Sequence, residues 1–227
     1  MLSAFKARQP GAPLRRVAFY ELCRKLARGL LWTLVGLRVR NVERVPKVGP
    51  LLIAANHESY LDPPCVGGAI TQRHVAYIAR AGLFKWKPFA WLISTLNSVP
   101  IREEQGDSAA IRETLRRLEL GHAVLIFPEG SRSEDGSLGE FKRGVALLVK
   151  KARCPVLPAA IDGAFEAWPR GQNLPRVFGP GVRVLYGEAI PYDELMKDGP
   201  DAALARIRDE VARLRAQLKA ERGARAS

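Results

Sequence analysis

No stretch of this 227-residue chain approaches the ~20 consecutive apolar residues that a membrane-spanning helix requires. The best run, Gly29 to Leu37, is closed at both ends by Arg28 and Arg38. No small-residue cleavage site follows it, and Arg38 and Arg40 come next, which argues against a secretion signal. Cysteine is scarce: Cys23, Cys65 and Cys154 are far apart, with no C-x-x-C or Cys/His spacing. That excludes a disulfide framework and a zinc site, and it fits a reducing cytosol. A G-x-S-x-G elbow is also missing, so a hydrolase built on a serine nucleophile is not indicated. There is no internal repeat and no low-complexity tract. Acidic residues are few, 23 against 36 Lys and Arg, leaving a formal charge of +13.

Such a balance implies anionic partners: lipid headgroups, nucleic acid or an acidic carrier protein. The charge is concentrated. Residues 1–48 hold eleven Lys/Arg and two Asp/Glu, so 11 − 2 = +9 of the total lies in the N-terminal segment. From Leu14 to about Leu37 the pattern is helical. Phe19, Leu22, Cys23, Leu26, Leu30, Leu34 and Leu37 share one face, and Arg24, Lys25, Arg28 and Arg38 fall opposite. A basic amphipathic helix of this type either lies in a membrane interface or packs its apolar stripe on its own domain. A nucleic-acid partner is not expected, because there is no zinc spacing, aromatic-rich RNA-binding motif or helix-turn-helix pair.

Beyond Pro50 short apolar runs alternate with helical stretches. Strands are expected over Leu51–Ala55, Val75–Ala79, Ser98–Ile101, Ala123–Phe127, Val156–Ile161 and Val182–Tyr186, with Val156–Ile161 broken at Pro158. Helices are expected around Leu83–Leu96, from Asp107 or Ser108 as cap to Gly121, over Phe141–Lys151, and from Asp201 with Leu204, Ile207, Val211, Leu214 and Leu218 inward. Trp168 to Gly181 reads as a long loop. The alternation predicts an α/β fold: a single domain with a mainly parallel sheet and helices on both faces, preceded by the basic amphipathic helix. The division expected is 1–40 for the membrane-associating helix and 41–227 for the domain.

Polar clusters follow three of the strands, at the sheet edge where α/β folds bind ligands. His57 follows Leu51–Ala55, Arg102 follows Ser98–Ile101, and Glu129 follows Ala123–Phe127. In Asn56-His57-Glu58-Ser59-Tyr60-Leu61-Asp62, an imidazole is a base that titrates near neutral pH, and Asp62 is placed to fix its tautomer. In Phe127-Pro128-Glu129-Gly130-Ser131-Arg132-Ser133, Gly130 admits close approach of a ligand and Arg132 offers a planar fork to phosphate. Ser131 and Ser133 add hydroxyl donors, and Glu129 either pairs with a cation or accepts from a polyol. Arg102, Lys142 and Arg143 add to one positive field. His74 and His122 have no carboxylate at a fixed spacing and carry no expected chemistry.

These blocks, in this order, resemble the glycerolipid acyltransferase family. Asn56, His57 and Asp62 look like its N-H-x-x-x-x-D block, and Val99–Arg102 is similar to its second block. Phe127–Ser133 resembles F-P-E-G-T-R-S with Ser131 in place of Thr, and Phe141–Gly144 and Val156–Ile161 resemble the remaining blocks. The resemblance covers roughly residues 40 to 190. It implies that His57, oriented by Asp62, deprotonates the free hydroxyl of a lysophospholipid such as 1-acyl-glycerol-3-phosphate. The oxygen then attacks the thioester of acyl-CoA or acyl-carrier protein. Arg102, Glu129, Gly130, Ser131, Arg132 and Lys142 would hold the acceptor. No metal or organic cofactor is implied, and the expected place of work is the cytoplasmic face of the cell membrane. Another lysolipid acceptor such as lyso-ornithine lipid, a thioesterase, and a basic nucleic-acid-binding protein are the alternatives.

Overall fold

The structure, a computed structural model, describes residues 8, 9, 11–101, 106–179 and 181–224. Among these residues seven strands form one sheet in the order β1-β7-β6-β2-β5-β3-β4. They are β1 (Arg38–Arg40), β2 (Leu51–Ala55), β3 (Val75–Arg80), β4 (Ser98–Ile101), β5 (Ala123–Ile126), β6 (Val156–Asp162) and β7 (Arg183–Tyr186). β2 to β6 are mutually parallel. β7 runs antiparallel to β6, and β1 parallel to β7. The expected mainly parallel sheet is therefore present, with an inverted pair at one edge. β1 is too short to register as a hydrophobic run and was not expected.

Helices cover both faces. They are α1 (Leu14–Val35), α2 (Asp62–Val66), α3 (Lys87–Thr95), α4 (Gly106–Glu119), α5 (Arg143–Ala152), α6 (Ala164–Ala167), α7 (Tyr192–Met196) and α8 (Pro200–Gly223). Every residue of β2 and β6 is buried, so these central strands read as unbroken apolar runs rather than as an alternation. One core lies on the face with Ile53, Leu125 and Ile161, and the other on the face with Leu52, Val124 and Val156. α8 closes the second face through Ala203, Ile207, Val211, Leu214 and Leu218. Leu204, expected inward, is only half-buried, because the stripe that meets the sheet begins at Ala203. Pro158 does not break its strand: β6 runs through it, opposite Ala54 of β2, and its carbonyl accepts from Gly187 N at 2.8 Å. α4 starts at Gly106, so Asp107 and Ser108 lie within the helix rather than capping it.

α1 is the helix whose apolar stripe the sequence left to either a membrane interface or its own domain. It packs on the domain through Val17, Tyr20, Glu21, Arg24, Leu31 and Val35. Leu22, Leu26 and Leu30 face outward, 55, 65 and 58% exposed. Arg24, expected outside, is buried because Glu21 neutralises it at 2.7 Å. Glu21 also holds Arg8 at 2.8 Å and His74 Nε2 at 3.1 Å. His74 stacks on Tyr20 with ring centroids 3.7 Å apart, and burial brings its imidazole down to about 4. The ring is thus a neutral packing group. Periodicity reveals that a helix has a stripe, but a buried ion pair decided which face meets the protein.

Substituting Glu21 by Leu leaves Arg24 buried without its counter-ion. A loss of about 3–5 kcal/mol is expected, read as a lower urea midpoint at unchanged m-value. A loss below about 1 kcal/mol would mean that Arg24 escapes to solvent and that the pair does not anchor α1.

Candidate active site

β2 and β5 are neighbouring parallel strands, with Leu51 opposite Ala123 and Ala54 opposite Ile126. Their carboxyl ends therefore emerge side by side, and each feeds one of the two polar loops. Asn56 fixes the first exit: its amide accepts from Ile161 N and donates to Ile161 O, both at 2.9 Å. The side chain thereby continues the ladder between β2 and β6 for one more step.

The chain then winds tightly around Asp62, the first residue of α2. Pro63 and Pro64 follow in the first turn, where a helix needs no N–H donors. Asp62 is fully buried. Its Oδ2 accepts from Glu58 N at 2.6 Å and Ser59 N at 2.7 Å, and lies 2.7 Å from His57 Nδ1. Burial pushes the Asp62 carboxyl up, opposed by the His57 contact and the two amides. Three donors around one oxygen favour the ionised form, so the neutral imidazole carries its proton on Nδ1 and its lone pair on Nε2. The ring also stacks on Phe127, centroids 4.0 Å apart and planes 15° apart. Its side chain is 19% exposed, enough for a substrate to reach it.

The second loop is fastened to the first. Glu129 Oε1 accepts from His57 N at 2.7 Å, and Oε2 from Gly139 N at 2.8 Å. Ser133 N donates to His57 O at 2.8 Å. Glu129 was expected to meet a cation or the acceptor. Its geometry is that of a brace between backbone segments, with one oxygen on the amide of His57 and the other on that of Gly139. Gly130 has φ +72°, and a Cβ there would overlap the Lys142 side chain that crosses it. Lys142 is thus brought to the turn, with its own N–H donating to Pro128 O at 2.9 Å.

Arg132 lies over the ring of Tyr60, with its guanidinium carbon 3.4 Å from the centroid. One of its terminal nitrogens is buried without a hydrogen-bond partner. Tyr60 in turn packs on Trp168 at 5.2 Å, and Ser59 Oγ donates to Trp168 O at 2.7 Å. Ser131 stands exposed on the turn. The structure therefore brings His57, Asp62, Glu129, Gly130, Arg132 and Lys142 together. Arg102 lies outside the described residues, and β4, which leads to it, is the edge strand two places from β5. Sequence reasoning missed Phe127 and Tyr60 as supports for the imidazole and the guanidinium. The available signal was an aromatic residue inside each polar block. No group of His, Cys, Asp and Glu among the described residues is arranged to hold a metal ion. The arrangement can deprotonate a hydroxyl at Nε2 beside a turn that carries two cations.

The sequence pattern of the Acyltransferase family matches residues 36–162, a span that contains both loops. The chain is 29% identical over 145 residues to the 1-acyl-sn-glycerol-3-phosphate acyltransferase of Bacillus subtilis, covering 63% of this chain and 71% of that one. It is 25% identical over 207 residues to the enzyme of the same name from Streptococcus pneumoniae, covering 88% and 75%. It spans 46% of the chloroplastic enzyme LPAT1 of Arabidopsis thaliana, over 71% of its own length at 25% identity. Among solved structures it is similar to the 1-acyl-sn-glycerophosphate acyltransferase PlsC from Thermotoga maritima. The TM-score is 0.72 and the identity 29%, over 91% of this chain and 82% of that one. With both polar loops inside the matched span and the fold shared with a solved acyltransferase, this chain belongs to the acyltransferase family and is an acyltransferase.

Proposed function

We propose that the chain moves a fatty acyl group from acyl-CoA or acyl-carrier protein to the free hydroxyl of 1-acyl-glycerol-3-phosphate, yielding phosphatidic acid for phospholipid synthesis. The observation that carries this reading is an imidazole whose Nδ1 is held by a buried carboxylate, beside a glycine turn bearing Arg132 and Lys142. His57 Nε2 takes the hydroxyl proton as the oxygen attacks the thioester carbonyl. The tetrahedral intermediate collapses by breaking the C–S bond, and the imidazolium returns its proton to the departing thiolate. Asp62 stabilises the imidazolium between the two steps. The substrate hydroxyl occupies the place of a serine nucleophile, so no acyl-enzyme forms. Arg132 and Lys142 bind the acceptor's phosphate, and Glu129 keeps their loop in register with His57. The activity for which the relatives are named supports the choice of acceptor.

The same reading places residues 1–40 at the membrane. No helix of the described residues is long and apolar enough to cross a bilayer. α1 instead presents Leu22, Leu26, Leu30 and Trp32 outward together with Lys25 and Arg28. Phe19 reaches Trp91 of α3 at 5.2 Å, and Trp86 and Trp91 are themselves exposed, which extends the apolar face. Such a surface beds in the acyl boundary with its cations among anionic headgroups, here on the cytoplasmic side.

The direct test incubates purified protein and a labelled long-chain acyl thioester, on CoA or on carrier protein, with and without 1-acyl-glycerol-3-phosphate. Phosphatidic acid is expected only with the acceptor. Free fatty acid independent of acceptor would indicate a thioesterase, and transfer to lyso-ornithine lipid alone would change the acceptor. His57→Ala is expected to lower turnover about 10³-fold with the fold intact, and residual turnover above about a tenth would remove His57 as the base. Gly130→Ala forces a left-handed backbone on a residue with a Cβ, at about 1–2 kcal/mol, and displaces Lys142. It should raise the acceptor KM more than it lowers kcat, and an unchanged KM would take the turn out of acceptor binding. Changing Leu22, Leu26 and Leu30 together to Asp should abolish flotation with anionic vesicles while the soluble protein stays folded. Undiminished flotation would move attachment away from the leucine row, to Trp86 and Trp91 at the edge of the same face or beyond it.

A further inference from the structure

Beyond the matched span of residues 36–162, α8 sends one guanidinium into the site. Arg215 sits on the buried stripe of α8 between Leu214 and Leu218, which pack on Ala160 and Leu185 of β6 and β7. Its side chain is 11% exposed. Nη2 lies 3.5 Å from Glu58 Oε2 and donates to the carbonyl of Gly136. One residue thereby touches both polar loops: Glu58 lies between His57 and Asp62, and Gly136 lies in the loop that follows Ser133.

Glu58 is placed to transmit that contact. Its other oxygen, Oε1, accepts from Ala164 N at 3.1 Å and Phe165 N at 3.2 Å, and Asn56 Nδ2 lies 3.4 Å from Oε2. Its backbone N–H is one of the two amides on Asp62 Oδ2. The charged groups that bear on it are Asp62 of α2, Asp162 at the end of β6, and Arg215 of α8. Two of the three are acidic. Burial and the Asp62 carboxylate push Glu58 up to about 8, and Arg215 pulls in the opposite direction. Without Arg215, Glu58 would face the Asp62 and Asp162 carboxylates with no cation of its own, since Arg222 of α8 lies on Asp162 at 3.5 Å.

We propose that Arg215 and Glu58 are positioning residues for the His57–Asp62 pair, with α8 clamping the two loops so that the imidazole keeps a single tautomer. This inference concerns the base that acts in the reading given above, but it is stated for the imidazole itself and does not depend on the acceptor. Arg215 holds the Glu58 side chain, the Glu58 amide holds Asp62 Oδ2, and Asp62 holds the proton on His57 Nδ1. Loosening the first link releases the last, and a free neutral imidazole in water prefers the proton on Nε2, the atom that must accept it in catalysis.

The experiment compares wild type with Arg215→Met, Arg215→Lys and the double variant Glu58→Gln/Arg215→Met. The chain has three histidines, so ¹⁵N-histidine spectra recorded just above the Glu58 titration resolve each ring, and His57→Gln identifies the signal sought. Wild-type His57 is expected as the Nδ1–H tautomer. In Arg215→Met the Nε2–H form should rise at least about threefold. The kcat should fall about tenfold with substrate KM values within about twofold, far short of the ~10⁴-fold loss from removing a tautomer-fixing carboxylate itself. Arg215→Lys, which keeps a cation near both loops, should return toward wild type, whereas the double variant, which lacks the clamp as well as the charge, should keep the tautomer shift. An Arg215→Met protein that is folded and keeps the wild-type tautomer overturns the proposal. So does a full return of the wild-type tautomer and kcat in the double variant, since the clamp would then be dispensable and only an unpaired charge would have been at fault. Wild type without acyl transfer to 1-acyl-glycerol-3-phosphate would count against the proposed acceptor, while the tautomer shift would still decide the role of Arg215.

Discussion

A single oxygen organises the candidate site. Asp62 Oδ2 gathers two backbone amides and one imidazole nitrogen within 2.7 Å, in a position from which water is excluded. A buried carboxylate is costly unless its charge is met by donors, and the nearest donors are the amides of residues three and four places earlier in its own chain. Meeting that demand curls residues 57–62 into one compact loop, and the curl aims His57. The orientation of the base is therefore a by-product of satisfying a buried charge. Phe127 completes it by stacking on the ring from the neighbouring strand.

The second loop obeys the same logic from the other side. Glu129 places one oxygen on His57 N and the other on Gly139 N, so the block that carries Gly130 and Arg132 is locked to the block that carries the imidazole. Arg132 is then carried on the face of Tyr60, a contact that fixes the plane of the guanidinium and leaves its edge for hydrogen bonds. Acidic residues in this site serve mainly as braces, and the basic ones remain to meet an anion. That division accounts for a glutamate inside a turn flanked by Arg132 and Lys142.

The N-terminal helix applies burial of charge to a different end. Glu21 gathers Arg8, Arg24 and His74 beneath α1, and that polar hub lets the helix dock without Leu22, Leu26 and Leu30. The leucine row is left facing outward beside Trp32, Lys25 and Arg28. Helix and sheet thus share a core through Leu31 and Val35 while the apolar stripe stays available to a lipid surface. The helix that would hold the membrane is in this way rigidly joined to the domain that would act on its lipids.

Much of this was legible in the chain itself. The apolar runs at Leu51–Ala55, Ala123–Phe127 and Val156–Ile161 are long enough and polar-free enough to be central strands, and the first two end where a polar block begins. The pairing of His57 with Asp62 followed from spacing and residue type. What the chain could not reveal is which strands lie side by side, because register is settled by long-range packing: β2 beside β5 is why Glu129 reaches His57. Nor could periodicity choose the inner face of α1, a choice made by the ion pairs of Glu21, or connect Arg215 with Glu58 across 157 positions. The sequence by itself determined the alternation of elements, the strand ends that carry polar blocks and the chemistry of those blocks, since these depend on local composition. Only the tertiary structure decided their partners and orientation, since a buried charge selects its counter-ion by proximity in space and proximity is created by the folded sheet.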